Sequence, residues 1–204
     1  MRQSEGPAGK MPGAAVPADL AALVARAERA GKGAPPVEMW NPDHCGDIDM
    51  VIRADGSWFY NGTPINRPAL VRLFSTVLRR DEDGRTYLVT PVEKLGITVE
   101  DAPFLAVEMS RNERDGVSVL TFRTNVGDVV EAGPDHPLRF EIAGEGGGFE
   151  PYLRVRGRLD AKLTRALAFE IADAIEADDA GAPAIASGGA WFPLPPHALD
   201  DAKA

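Results

Sequence analysis

The chain has 204 residues, 44 % hydrophobic and 26 % charged, with a formal net charge of −9. That is apolar material for one domain or two small ones without covalent staples. The acid excess disfavours general binding to nucleic-acid phosphates and docking on anionic membranes. The single cysteine, Cys45, excludes an internal disulfide framework and suits a cytoplasmic location.

Residues 1–16 are Gly-, Pro- and Ala-rich, without an apolar signal-peptide core, and read as a disordered tail. Within 17–34, Leu20, Leu23, Val24 and Ala27 fall on one helical stripe, which Gly31, Gly33 and Pro35 end. Ile48, Met50 and Ile52 alternate with polar neighbours as a half-buried strand. Asp55-Gly56 is a hairpin signal, and residues 57–60 form the return strand. Asn66 is expected to cap a helix whose buried stripe is Ala69, Leu70, Leu73, Phe74, Val77 and Leu78. Seven short strands follow, over 87–90, 97–100, 104–110, 117–123, 128–130, 138–142 and 152–156. Asp160 is expected to cap a last helix with Leu163, Leu167, Ile171, Ala174 and Ile175 buried. The Pro/Gly-rich segment 181–204 is expected to be irregular, with Trp191-Phe192 as an anchor on the core.

A repeat shows within this pattern. Strand, Gly62, Ile65, Asn66 and helix match strand, Gly157, Leu159, Asp160 and helix. The expected fold is therefore α+β: two related small domains, 35–95 and 96–180, of mostly antiparallel sheet, each covered by a helix.

Two runs carry a wider resemblance. The first is Trp40-Asn41-Pro42-Asp43-His44-Cys45-Gly46-Asp47 with Gly62-Thr63-Pro64-Ile65 and Arg67-Pro68-Ala69-Leu70. The second is Tyr87-Leu88-Val89-Thr90-Pro91-Val92-Glu93-Lys94 with Glu100-Asp101-Ala102-Pro103-Phe104. Together, over about 36–175, they resemble the bacterial domain-of-unknown-function family DUF1285. The resemblance implies a duplicated two-domain fold whose C-terminal domain is loosely pleckstrin-homology-like. It also implies a ligand site at the domain interface for a nucleotide-like molecule, and a role in signalling.

No GxSxG, P-loop or dinucleotide fingerprint is present, and the reading leans away from an enzyme and assigns no cofactor. Asp47 and Asp49 share a strand face beside His44 and Cys45 and are weak metal candidates; the competing reading is a polar strand edge. The stronger lead is basic. Between Pro151 and Leu167, Arg154, Arg156, Arg158, Lys162 and Arg165 oppose one acid, Asp160. Arg154 and Arg156 share one strand face, and Arg forks suit phosphate and carboxylate oxygens. The helix expected after Asn66 adds Arg67 and Arg72, and the loop Thr90, Glu93 and Lys94 is expected to join the domains. The candidate binding set is Arg67, Arg72, Thr90, Glu93, Lys94, Arg154 and Arg156, for a small anionic ligand. A protein-interaction module without a ligand and a metal-assisted hydrolase remain the alternatives, and a protein partner stays open.

Overall fold

The computed structural model describes residues 18–29, 35–142 and 148–196. The segment 1–16 expected to be a tail lies outside them. Helix α1 (Ala18–Arg29) packs on α2 (Pro68–Thr76), burying Leu20, Leu23 and Ala27 as its stripe requires. A 3-10 turn, Val37–Met39, leads into the first sheet.

That sheet comprises β1 (His44–Ile52), β2 (Trp58–Tyr60), β3 (Thr63–Pro64), β4 (Leu78–Arg80), β5 (Thr86–Val89) and β6 (Lys94–Val99), in the order β3-β2-β1-β6-β5-β4. The second holds β7 (Phe104–Arg114), β8 (Val117–Thr124), β9 (Val129–Glu131), β10 (Leu138–Ile142), β11 (Phe149–Arg156) and β12 (Leu159–Leu163), in the order β9-β8-β7-β12-β11-β10. Adding six to each strand number converts one order into the other. Both sheets are antiparallel except at the centre, where the first and sixth strands run parallel. The duplication is therefore real.

Its register is visible in side chains. In the first sheet Leu78 faces Leu88 and Arg79 faces Tyr87. In the second Leu138 faces Leu153 and Arg139 faces Tyr152. The Leu-Arg and Tyr-Leu pairs are thus the matching elements. The repeat read from Asn66 and Asp160 aligns β3–α2 with β12–α3, which are not equivalent: α2 sits between the third and fourth strands, whereas α3 (Arg165–Ala172) follows the sixth.

Both expected caps are displaced. Pro68 disfavours a helical residue before it, so extended Arg67 is the N-cap of α2 rather than Asn66. Asp160 lies inside β12, which is hydrogen-bonded on both sides by β11 and β7; that ladder outcompetes a local cap, and α3 starts after Thr164. The stripe expected to continue through Leu78 ends at Thr76, and Leu78 opens β4. The expected domain boundary at 95/96 would cut β6, which pairs with β1 and β5; the first sheet ends only after Val99.

The described part of the segment expected to be irregular, 181–196, is also ordered. Strands β13 (Ile175–Ala177), β14 (Pro183–Ser187) and β15 (Ala190–Pro193) form a third sheet packed against β8 and β10. Gly188 and Gly189, at φ of +59° and +78°, make the tight turn that Gly-rich composition disguised as irregular chain. Ile185, Phe192 and Leu194 are buried, while Trp191 is 41 % exposed, so the anchor is Phe192. One apolar cluster runs through both large sheets, with Trp58, Phe74, Phe104 and Phe122 almost fully buried. No helix among the described residues is long and apolar enough to cross a membrane.

Candidate functional site

Besides the bonds of Tyr152 and Lys162 to Asp101, three contacts among the described residues tie the two sheets along their seam. The β1–β2 turn enters the second domain at Gly56, where a β-carbon would lie 2.9 Å from both Asn125 Nδ2 and Leu105 Cδ1. Its φ of +78° and this close approach require glycine. At the end of α2, Arg156 donates to the Ser75 carbonyl at 2.6 Å and to Asp128 at 2.7 Å, with its guanidinium 4.8 Å from the Phe104 ring centre. At the third tie, Arg158 reaches from the β11–β12 turn to Glu82 in the β4–β5 turn, at 2.9 Å.

Between those two turns lies a groove of about 470 Å³, lined by Arg80, Asp81 and Glu82 from one domain and Arg154, Arg158 and Asp160 from the other. A neighbouring depression of about 440 Å³ shares Asp81, Glu82 and Arg158 and adds Trp40, Asn41 and Glu38. The acids of the groove differ in how they are held. Asp81 takes two bonds from Arg79, at 2.6 and 3.2 Å, and one from Lys94 at 3.0 Å. Burial alone would push its carboxyl up, but the Arg79 and Lys94 hydrogen bonds outweigh it and hold the group below the usual carboxylate range. Arg79 is itself buried and donates to the Val37 and Trp40 carbonyls, fixing the 3-10 turn at the groove's rim. Asp160 is buried between Arg154, at 2.5 Å, and Arg139, at 3.2 Å. Glu82, by contrast, is 87 % exposed.

The cations differ in the same way. Arg154 is committed to Asp160 and the Gly157 carbonyl. Arg80 donates its Nε to the Gly84 carbonyl at 3.1 Å and pairs with no carboxylate among the described residues. Among the described residues Arg158 has only Glu82.

Residues 35–102 match the N-terminal domain of the domain-of-unknown-function family DUF1285, and residues 103–194 match its C-terminal domain. A crystal structure of a DUF1285 family protein from Silicibacter pomeroyi DSS-3 is 45 % identical, with a TM-score of 0.80 over 91 % of this chain and 98 % of that one. The chain belongs to the DUF1285 family. A second DUF1285 crystal structure, from Shewanella baltica OS155, is 28 % identical over 61 % of this chain and 90 % of that one, with a TM-score of 0.48. No curated protein matches the chain. The DUF1285 match reaches residue 194, so it includes the β14–β15 hairpin that the sequence reading left outside.

Of the seven residues expected at the site, Arg154 lines the groove and the other six do not. Arg156 is spent on the seam. The β11–β12 ladder slips between Arg154 and Arg156, and such a bulge re-aims side chains that simple alternation would put together. Arg67, the N-cap of α2, and Arg72, on the helix, are both exposed, and Arg72 lies beside Gly127 of the second domain. Thr90, Glu93 and Lys94 form the β5–β6 turn inside the first sheet rather than a link between domains. Thr90 is buried, its N–H bonded to the Glu93 carbonyl at 2.9 Å, and Lys94 reaches the groove only through Asp81.

The weak metal candidates Asp47 and Asp49 are both exposed on β1. Asp47 accepts from Arg85 at 2.7 Å and contacts His44 Nε2 at 3.2 Å; the Arg85 bond outweighs desolvation and lowers its carboxyl pKa. Asp49 is exposed, and Cys45 donates to the Asp43 carbonyl at 3.3 Å. Among the described residues no three His, Cys, Asp or Glu side chains converge as a metal site would need. Sequence reasoning missed Arg80, because the α2 stripe was carried past its true end into β4. It named Arg158 in the basic cluster without placing it at the site.

Proposed function

We propose that this chain is a non-catalytic regulatory protein that binds a small anionic ligand in the groove between its two DUF1285 domains, with a role in signalling. The observation that carries it is the pairing of Arg80 and Arg158, one from each domain, on a single groove, with weakly compensated charge. In an acidic protein such a local pair concentrates anions at one place. Guanidinium forks match phosphate and carboxylate oxygens, so a nucleotide-like molecule would engage through its phosphate. A ligand bridging both walls would also change how firmly the domains are held together. The lone exposed thiol of Cys45 suits a reducing compartment, the cytoplasm.

The test is thermal unfolding against a panel of phosphate- and carboxylate-bearing metabolites. A ligand at 100 times its Kd adds about 2.7 kcal/mol. Stabilisation that vanishes in an Arg80→Gln, Arg158→Gln double variant is the expected result. A panel in which no anion stabilises the protein rejects the reading.

A further inference from the structure

Resting on that reading of the groove, we infer that Glu82 is a built-in competitor for the site: its carboxylate occupies Arg158, and an anionic ligand binds by displacing it. Three groove acids are available, and only one is free to move. Asp81 is fixed by Arg79 and Lys94, and Asp160 is buried between Arg139 and Arg154. Removing either would strand cations that hold the scaffold. Glu82 stands in the Asp81–Gly84 turn, closed by the Gly84 N–H on the Asp81 carbonyl at 3.1 Å. Its carboxylate is 87 % exposed, and Arg158 is its one described partner.

The chemistry of exchange follows. Arg158 is 52 % exposed, and an ion pair between two solvated groups is weak, so its release costs little. A phosphate group offers more oxygens than a single carboxylate. It can take the Arg158 fork and also face Arg80, which has no carboxylate of its own among the described residues. Glu82 thus sets a threshold: anions that engage Arg158 alone meet an internal rival, whereas those that span Arg80 and Arg158 prevail. The Glu82–Arg158 pair also crosses the seam, so exchange removes one tie between domains while Arg156 keeps the bond to Ser75.

The experiment is calorimetric titration of the full chain with inorganic pyrophosphate at low ionic strength. Four proteins are compared: wild type, Glu82→Gln, Arg158→Gln and the double variant. Asp179→Asn, in the turn after β13, controls for the loss of one negative charge. Glu82→Gln is expected to tighten pyrophosphate about two- to fivefold, the range of an exposed pair. Asp179→Asn is expected to leave affinity unchanged, and the gain is expected to disappear in the Arg158→Gln background. A gain equal to that of Asp179→Asn, or one that persists without Arg158, overturns the inference; if Arg158→Gln still weakens binding, the groove reading stands. If no variant binds pyrophosphate, the groove reading falls and the inference with it.

Discussion

The guanidinium of Arg156, in the second domain, donates to the Ser75 carbonyl at the end of α2, in the first, at 2.6 Å. A helix leaves its last carbonyls without internal partners, and here a side chain 81 residues away satisfies one of them. The same guanidinium takes Asp128 and lies over Phe104, so one residue joins a helix end, a loop and a core ring.

Replacing Arg156 by Met therefore keeps the stem and removes the tie. Hydrogen bonds from a charged group contribute about 1.5–3 kcal/mol, and partial exposure puts the loss at the lower end of that range. Urea unfolding should show the midpoint falling. Arg156→Lys, which presents a single ammonium, should recover only part of it. An unchanged midpoint for Arg156→Met would show that the seam is held elsewhere.

How much of this was legible follows from which interactions are local. The stripe of α1 and the Asp55-Gly56 turn are set by neighbours in sequence, and they fold as read, whereas of the stripe expected on α2 only Phe74 is buried within the helix. Arg154 and Arg156 look alike in sequence, two cations on one strand. What separates them is a bulge and two partners, Asp160 and Ser75, that only tertiary structure brings near. The duplication was expected, but on the wrong pairing: capped helices are a common local pattern, whereas the facing pairs Arg79 with Tyr87 and Arg139 with Tyr152 exist only across strands. The β14–β15 hairpin was missed for a similar reason. Its stability comes from Ser187 and Phe192 meeting the second sheet, not from its own propensity.

Ser187 makes that dependence testable. Its hydroxyl, 1 % exposed, accepts the Leu120 N–H at 2.9 Å and donates to the Ala132 carbonyl at 2.8 Å. Ser187→Ala would strand both backbone groups, at a cost of about 1–3 kcal/mol. The expected outcome is a lower unfolding midpoint, with cleavage by a nonspecific protease appearing first between residues 178 and 194. Uniform proteolysis across the chain would instead mean that the hairpin does not open separately.

Two glycines should respond unequally to alanine. At Gly188 the β-carbon would sit 2.7 Å from the Ala132 carbonyl oxygen, at a φ of +59°. Backbone cannot yield cheaply there, and Gly188→Ala should cost more than about 1 kcal/mol. At Gly96 the obstruction is the end of two flexible side chains, Asp47 Oδ1 and Arg85 Nη2, whose ion pair fills the space above the glycine. Gly96→Ala should displace that exposed pair at a cost of less than about 1 kcal/mol. The Asp47 carboxyl should then titrate closer to its ordinary value, observable by carboxyl-carbon NMR. Equal losses at the two positions would contradict the distinction.

Asp81 gives the pH dependence. Its folded carboxyl is held below the ordinary value of 3.8 because the Arg79 and Lys94 hydrogen bonds outweigh desolvation. The unfolded chain then takes up the proton at a higher pH than the folded one. The contribution of Asp81 to stability is therefore complete above the unfolded value and is lost as pH falls through the folded value. Asp81→Asn removes the charge at every pH and leaves Arg79, buried at 7 % exposure, without its carboxylate. The variant should be less stable than wild type at neutral pH, and the gap should narrow as pH drops below 3.8. Urea midpoints measured from about pH 7 to about pH 3 would show the two curves converging in acid. A gap that stays constant across that range would mean that Asp81 acts through shape and packing rather than through its charge on Arg79 and Lys94.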